Sequence, residues 1–546
     1  MSATSPDRTD FLEELRWRGL LHQATDESGL QQHLAEGTRR AYCGFDPTAD
    51  SLTIGNLVPI ITLVHFARAG HEPVVVMGGG TGLIGDPSGK SAERQLRTPE
   101  EVAANVEKQR DIFRRVFENA GLPEPTIRNN YEWLKELSFI DVLRDVGKHF
   151  SVNMMIHKES VKERLHNREQ GISYTEFSYM ILQAYDYLKL YRDEHDGGWI
   201  TLQIGGSDQW GNIVSGIDLI KKFGQSLSFD IMFNKHPNAD FGENPNTILD
   251  KYDESSRVKI ETYREAGGWG FLEYPKIKRD LIEKYRESGY DLSRILDPDD
   301  EEAQLVQKNF NEDLNRLYLK REGWSGAFGL TVPLVTKADG GKFGKTESGA
   351  VWLTAPVDAD ADEARARRTS AFAMHQFWLN TADADVVRFL KVFTLLPRAE
   401  IERLEAEHAE APHKRAAQRA LAHHATALVH GEDEAHAAEA AAAALFSGDV
   451  RALPKQTLFD AMGEAPSSNH AKGELAGEGV ALLDVLIGTG LAKSKREARE
   501  FLEGGSVSVN GEKAGADRRL TEADLLHGEA IALRRGKKQW HLTRWA

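Results

Sequence analysis

Apolar segments that end in polar or glycine-rich turns alternate with segments of helical period between residues 39 and 222. That alternation restricts the fold more than any other property of the chain. Residues 39–45 read as a buried strand that runs into the turn "DPTADSLTIGN". "GNLVPIITLVHFARAG" follows as a helix with an apolar stripe and a stop at Gly70. "EPVVVMGGG" is a second strand entering glycines. The next helix is announced by Thr98 as cap, Pro99 at the first helical position and Glu101 closing a capping box. "WITLQIGG" is a further strand, and "SDQWGNIVSGIDLIKK" a further helix. Such alternation predicts an α/β fold with a doubly wound parallel sheet. Ligands in such sheets bind at the carboxyl ends of the strands, where these turns lie.

The chain has 546 residues, more than one ordinary domain. Residues 224–324 change to charged, aromatic, helical-period sequence, and 355–450 read as all-helical, ending in the Ala-rich run "EAHAAEAAAAALF". Residues 461–479 read as a linker, and the segment from Val480 as a small mixed α/β unit. No apolar run reaches the roughly 18 to 20 residues that a membrane span needs, and the amphipathic start has no signal-peptide core. A cytoplasmic location is therefore expected. The single cysteine, Cys43, excludes an intramolecular disulfide framework and a zinc site built on paired cysteines. Net charge is −16, yet residues 480–546 carry twelve Lys and Arg against nine Asp and Glu. A mildly basic tail on an acidic body is consistent with local contact to RNA.

Several motifs bear on chemistry. "GDPSGKS" (85–91) fails as a P-loop, because three residues instead of four separate its first Gly from the Gly-Lys pair. It remains a glycine-rich loop with Lys90 and Arg94, suited to a polyphosphate, and Asp86 stands at its start. Tyr179, Gln183 and Asp186 recur at spacings of four and three, which places a phenol, an amide and a carboxylate on one helix face. Lys342 and Lys345 in "KFGKT" form a cationic clamp in a glycine-rich loop, of the kind phosphoryl and nucleotidyl transfer need because negative charge shifts onto the leaving pyrophosphate. The histidines His408, His413, His423, His424, His430 and His436 include no pair three or four apart. They read as a solvated helical surface, and no metal site is expected.

Taken together, "CGFDPTADSLTIGNL", "GLIGDPSGK", "YMILQAYD", "LQIGGSDQWGN" and "KFGKT" occur in the order found in bacterial-type tyrosyl-tRNA synthetases, which this chain resembles. The resemblance covers residues 10–223, 326–450 and 480–546. It implies a Rossmann-like catalytic domain (1–223 and 325–354), a helical insertion without a known counterpart (224–324), a helical anticodon-side domain (355–460) and, after the linker, an S4-like RNA-binding domain (480–546). It also implies formation of tyrosyl-adenylate from L-tyrosine and ATP, with Mg²⁺ accompanying ATP. Transfer to tRNA(Tyr) follows, and the chain is expected to be a homodimer.

By the same resemblance, Tyr42 and Asp186 meet the substrate's phenolic hydroxyl, and Asp86, Tyr179 and Gln183 its ammonium group. Gln209 lies near its carboxylate, while Asp208 and Cys43 lie at the adenylate ribose. Gly44, Asp46, Thr48, Gly55, Asn56 and Gly206 belong to the ATP-binding region. Lys342, Lys345 and Thr346 match the mobile loop that stabilises the transition state, with Lys90 and Arg94 as a second basic pair. Lys493, Lys495, Arg496 and Arg499 of the S4-like segment suit RNA phosphates. Thr53 departs from the pattern by standing where the family usually has His, which puts the pyrophosphate contact in question. Three rival readings are a synthetase for another aromatic amino acid, a nucleotidylyltransferase, and a non-catalytic RNA-binding protein. Asp186 with Tyr42 opposes the first, the tail the second, and the intact lysines and site acids the third.

Overall fold

The computed structural model describes residues 10–86, 97–158, 161–162, 172–192, 199–233, 326–341, 343–346, 349–357, 362–463, 465–536 and 539–546. Six strands, β1 (Gln23–Ala24), β2 (Arg40–Phe45), β3 (Glu72–Met77), β4 (Thr126–Asn129), β5 (Ile200–Gly206) and β6 (Phe328–Val332), form one sheet in the order β1-β6-β5-β2-β3-β4. All neighbours are parallel except β1 with β6. From β2 the chain steps outward through β3 and β4, then returns to β5 on the other side of β2. That reversal opens a crevice at the carboxyl ends of β2 and β5. Strands β2, β3 and β5 are almost wholly buried, which explains their near-continuous apolar sequence. The sequence does not announce β1 and β4, because both are short and polar and lie at the sheet edges.

The helix Pro99–Asn119 starts as expected: Glu101 N donates to Thr98 Oγ1 (3.2 Å) and Thr98 N to Glu101 Oε2 (3.1 Å). Helices Leu57–Arg68, Tyr174–Arg192 and Trp210–Phe233 complete the layers. The last of these continues past residue 223, so the expected start of the insertion falls within a helix. The remainder of 224–324 lies outside the described residues. Residues 355–460 hold the helices Ala371–Leu379, Asp383–Phe393, Arg398–Glu410, Ala416–His430 and Glu432–Ser447. They share one hydrophobic core with the sheet: Phe45, Leu57, Phe113 and Val351 cluster with Met374, Trp378, Phe393 and Leu421.

Two short strands, β7 (Lys345–Thr346) and β8 (Gly349–Ala350), make a hairpin between these regions. The C-terminal sheet joins β9 (Ser467–His470), β11 (Val507–Val509), β12 (Glu512–Lys513), β14 (Ala530–Arg535) and β15 (Gln539–Trp545). A small pair, β10 (Val480–Ala481) with β13 (Arg519–Leu520), lies beside it. Strand β9 corrects the expectation of a linker over 461–479. It runs parallel to β15 from Leu542↔Ser467 to Trp545↔His470, and His470 stacks on Trp545 at 4.6 Å. A polar edge strand is held by backbone hydrogen bonds, which composition does not display. The unit also packs on the helices, since Ala441, Val450 and Leu453 cluster with Ala530, Ala532 and Leu542.

A buried ion cluster ties the loop after β2 to the helical region. The Asp50 carboxylate, 4% exposed, accepts from Arg367 Nε and from an Arg368 guanidinium nitrogen, both at 2.8 Å. Burial pushes its ionisation upward, but the hydrogen bonds and charges of Arg368 and Arg367 outweigh that and hold it well below the usual carboxylate range. A depressed carboxyl lends stability above its unfolded pKa, and that stability is lost as pH falls through the folded value. Asp50→Ala takes from the buried Arg368 guanidinium the carboxylate that compensates it, while Arg367 keeps Glu363 (3.2 Å), and is expected to cost about 3 kcal/mol in urea denaturation at pH 7. The penalty should shrink in strong acid. An unchanged denaturation midpoint would show the cluster to be idle.

Candidate active site

The carboxyl ends of β2, β3 and β5 and the inner face of the helix Tyr174–Arg192 enclose the site. That helix puts Tyr179 and Asp186 in the interior and Gln183 half-buried between them, the face that the spacing predicts. Asp186 is 4% exposed and accepts from Asn130 Nδ2 (2.9 Å) and Trp133 Nε1 (2.8 Å). From there hydrogen bonds continue in one line. Asn130 Nδ2 also donates to Thr81 Oγ1 (3.0 Å), Thr81 Oγ1 to Asp46 Oδ1 (2.8 Å), and Tyr179 Oη to Asp46 Oδ2 (2.9 Å). Gly78 makes room for this line, because a Cβ there would lie 2.2 Å from Asp46 Oδ1. Asp46 thus braces Tyr179 from the turn after β2.

Three buried polar atoms close to the site, on Tyr42, Gln183 and Gln203, have no partner among the described residues. Tyr42 Oη, on β2, is sealed in the interior, and Gln183 Oε1 is likewise unpaired. Leaving such groups unmet costs about 1–3 kcal/mol each, so the site is built for a polar ligand that meets them. Burial raises the Asp186 carboxyl to about 7, although Asn130 and Trp133 oppose the shift. Burial, and after it the charge of Asp186, pushes the Tyr42 phenol well above its ordinary value. A neutral phenol therefore lies within electrostatic reach of a carboxyl that is ionised only in part at neutral pH. Sequence reasoning missed Asn130, Trp133, Thr81 and Gln203. Gln203 pairs with Tyr42 across β2 and β5, and its buried Oε1 is also unpartnered. Only the fold brings these residues to Asp186 and Tyr42.

At the other end of the crevice, Gln209 Nε2 donates to Asp86 Oδ2 (2.7 Å) and to Asp208 Oδ2 (3.2 Å), while Asn212 Nδ2 donates to Gln209 Oε1 (3.2 Å). Gln209 thus bridges the two carboxylates. Cys43 is buried, and burial first and Asp208 second push its thiol up to about 12, so it stays neutral. Gly206 ends β5, and a Cβ there would lie 2.4 Å from Asp208 Oδ1. Gly44 lies in β2, and Thr48 is exposed in the turn after it.

The "TIGN" segment opens the helix Leu57–Arg68 with a short 3-10 turn, Ile54–Asn56, in which Gly55 is exposed. Thr53 Oγ1 donates to Asn56 Oδ1 (2.9 Å), which also accepts from Thr53 N (3.1 Å). The hydroxyl hydrogen of Thr53 is therefore committed within its own motif. The "KFGKT" loop packs directly on this turn. Ile54 N donates to Val351 O (2.9 Å), Val351 N to Gly344 O (3.0 Å), and Thr53 bridges to Trp352. Gly344, at φ +76°, must be glycine on a second count, since a Cβ would lie 2.5 Å from Ile54 Cγ2. Phe343 anchors the loop among Phe377, Trp378, Phe389 and Phe393, with ring centroids 5.0–5.9 Å away. The backbone of Lys345 and Thr346 lies in β7. Lys342, Lys90 and Arg94 lie outside the described residues.

In the C-terminal unit, Ser494 caps the helix Lys495–Glu503 through Glu497 N, which donates to Ser494 Oγ (3.2 Å). Lys495, Arg496 and Arg499 line a cavity of about 750 Å³ together with Arg518 and Arg519. Lys493 precedes that cap, and its backbone N donates to Glu497. Arg518 and Arg519 escaped the sequence reading because strands β11 and β12 separate them from the helical cluster.

The family "tRNA synthetases class I (W and Y)" matches residues 35–242 and 303–447, leaving 243–302 unmatched inside the insertion. "Tyrosine--tRNA ligase SYY-like C-terminal domain" matches 462–543, so its match takes in β9. The chain is 41% identical over 543 residues to the tyrosine--tRNA ligase of Bacillus caldotenax, covering 98% of this chain and 100% of the relative. It is also 41% identical over 538 residues to the tyrosine--tRNA ligase of Roseiflexus castenholzii, covering 98% and 99%. Among solved structures, a C-terminally truncated mitochondrial tyrosyl-tRNA synthetase of Aspergillus nidulans aligns with a TM-score of 0.54 at 26% identity. That alignment covers 81% of this chain and 95% of the other.

The raised Asp186 carboxyl carries a testable sign. Only its ionised form is a pure acceptor, so affinity for a phenolic ligand should fall as pH drops through about 7. Asp186→Asn should abolish that dependence. Equilibrium binding of tyrosine between pH 6 and 8.5 measures it, and a flat profile in the unmodified protein would contradict it.

Proposed function

The chain belongs to the bacterial-type tyrosyl-tRNA synthetases of class I, and from that membership we propose how its own residues divide the work. The reaction couples L-tyrosine to ATP and then to tRNA. The observation that carries the assignment of residues is the sealed Tyr42 phenol beside Asp186. A tyrosine hydroxyl placed there donates to the Asp186 carboxylate and accepts from Tyr42 Oη, so one ligand group satisfies both. Phenylalanine leaves Tyr42 Oη unmet and offers Asp186 no donor, and is rejected, a discrimination for which tyrosyl-tRNA synthetases are themselves the standard example. The substrate ammonium is assigned to Gln183 Oε1, Tyr179 Oη and Asp86. Gln209, held between Asp86 and Asp208, faces the substrate carboxylate, and Asp208 with Cys43 borders the ribose.

In activation, a tyrosine carboxylate oxygen attacks the α-phosphorus. The bond from that phosphorus to the oxygen bridging to the β-phosphorus breaks, and pyrophosphate leaves. No side chain need move a proton in this step. The protein's contribution is alignment and compensation of charge that builds on pyrophosphate. We assign that compensation to Lys342, Lys345 and Thr346, with Lys90 and Arg94 as a second group and Thr48, Gly55 and Asn56 along the phosphates. Mg²⁺ enters on ATP, whose phosphates and water supply most of its oxygen ligands. Thr53, with its hydrogen given to Asn56, holds the turn in shape and leaves a lone pair instead of a donor toward the phosphates. A terminal ribose hydroxyl of tRNA(Tyr) then attacks the tyrosyl carbonyl and AMP departs. The cavity lined by Lys495, Arg496, Arg499, Arg518 and Arg519, with Lys493 nearby, is assigned to RNA phosphates. No helix among the described residues is long and apolar enough to cross a membrane, and we place the reaction in the cytoplasm.

ATP–pyrophosphate exchange tests the reading. Exchange should require tyrosine and be negligible with phenylalanine. Lys345→Ala should slow adenylate formation by about 10²-fold or more while tyrosine affinity holds within about twofold, because the charge it meets appears only in the transition state. Equal exchange with phenylalanine would refute the pocket assignment, and a loss confined to tyrosine affinity would refute the lysine's role.

We further propose that the chain acts as a homodimer. Phe139, Ile140, Leu143, Val152 and Met154 are all exposed within one short stretch beside the site, with Phe139 at 63% and Ile140 at 67%. Apolar groups gathered in this way mark an interface. Ile140→Asp should shift the mass measured by light scattering from dimer to monomer. A unmodified chain that is already monomeric at micromolar concentration would overturn this.

A further inference from the structure

The helix Ala416–His430 ends at Gly431, whose φ of +100° turns the chain directly into the helix Glu432–Ser447. This hairpin brings together histidines that the spacing argument kept apart. His423 and His436, with ring centroids 4.9 Å apart, face each other across the turn. His423 Nε2 lies 2.9 Å and His436 Nε2 3.3 Å from the same atom, Glu432 Oε1, and the three donor atoms lie within 4.8 Å of one another. The opposite ring nitrogens share a second carboxylate. His423 Nδ1 is 3.4 Å from Glu439 Oε1, and His436 Nδ1 is 3.6 Å from Glu439 Oε2.

We propose that His423, His436 and Glu432 form a binding site for a late first-row divalent metal ion such as Zn²⁺, with Glu439 orienting both imidazoles. The geometry favours this over a bare ion-pair lattice on two independent grounds. Donors at about 2.0–2.2 Å from a tetrahedral zinc stand roughly 3.4 Å apart, close to the spacings at Glu432. A ligating imidazole also needs its far nitrogen protonated and held by an acceptor, the position Glu439 takes toward both rings at once. Two imidazoles with one carboxylate suit Zn²⁺, Ni²⁺ or Co²⁺ and not Mg²⁺ or Ca²⁺, which prefer all-oxygen sets. Glu432 and His436 are about 60% exposed at the side chain, leaving an entry path and room for water as a fourth ligand. Glu432, His436 and Glu439 sit at i, i+4 and i+7 on one helix face, so only His423 must be supplied from the other helix.

The site would clamp a hairpin that is already fixed to the catalytic body. Arg115 Nε donates to Val429 O (2.8 Å) and Asn119 Nδ2 to Leu428 O (3.1 Å), both from the helix Pro99–Asn119. A bound ion would therefore stiffen the turn against that helix and raise the melting temperature without touching the reaction.

Full-length protein stripped with EDTA and titrated with ZnCl₂ alone by calorimetry tests the proposal. One equivalent should bind, and MgCl₂ at the same concentration should not compete. His436→Gln should weaken binding by at least about tenfold, and Glu439→Gln by about 10–100-fold, the usual loss when a histidine's supporting carboxylate is removed. ATP–pyrophosphate exchange should be unchanged in both variants, which shows that they remain folded. Co²⁺ should give a visible absorption band that His436→Gln abolishes. Absence of saturable Zn²⁺ binding, or binding that survives His436→Gln at full strength, would overturn the site.

Discussion

A carboxylate sealed from water is tolerable only if its neighbours supply what water would, and Asp186 imposes that condition on the whole end of the sheet. Asn130 and Trp133 come from the segment after β4, Thr81 from the turn after β3, and Asp46 from the turn after β2. The line of hydrogen bonds through them cannot close unless those strands stand in their observed order. Tyr42 and Gln183 are left with unpaired buried atoms along it. What this end of the sheet lacks is thus a polar partner for buried atoms that the fold itself does not meet.

The same economy holds at the phosphate end. The "TIGN" turn and the "KFGKT" loop are more than 280 residues apart in sequence, yet backbone hydrogen bonds and the close contact of Gly344 with Ile54 make them one surface. Asp50, with Arg367 and Arg368, fastens the far side of that surface to the helices. Thr53 fits this arrangement as a short side chain whose hydroxyl closes on Asn56, so the turn keeps its shape although the imidazole usual at this position is absent.

Much of this was legible in the residues themselves. Strands β2, β3 and β5, largely buried, are largely apolar in sequence, and the helix Pro99–Asn119 carries its cap in plain sight. Tyr179, Gln183 and Asp186 share a helix face by arithmetic. What was hidden depends on contacts between distant segments or on backbone pairing. Asn130 and Trp133 are unremarkable until β4 carries them to Asp186. Strand β9 is "SSNH", a composition that says loop, because its place in the sheet rests on main-chain groups. His423 and His436 are thirteen apart, and no helical period joins them; only the reversal at Gly431 does. Lys342, Lys90 and Arg94 were named from the sequence, and the described residues do not include them.

Phe343 gives the catalytic loop a fulcrum. The ring is lodged among four aromatic side chains that belong to the helical region, whereas Gly344 beside it packs against Ile54 of the "TIGN" turn. Two residues adjacent in the chain thus join the helical region to the turn that opens the helix Leu57–Arg68. Any tilt of the helices therefore reaches the mouth of the crevice as a displacement of this one phenyl ring.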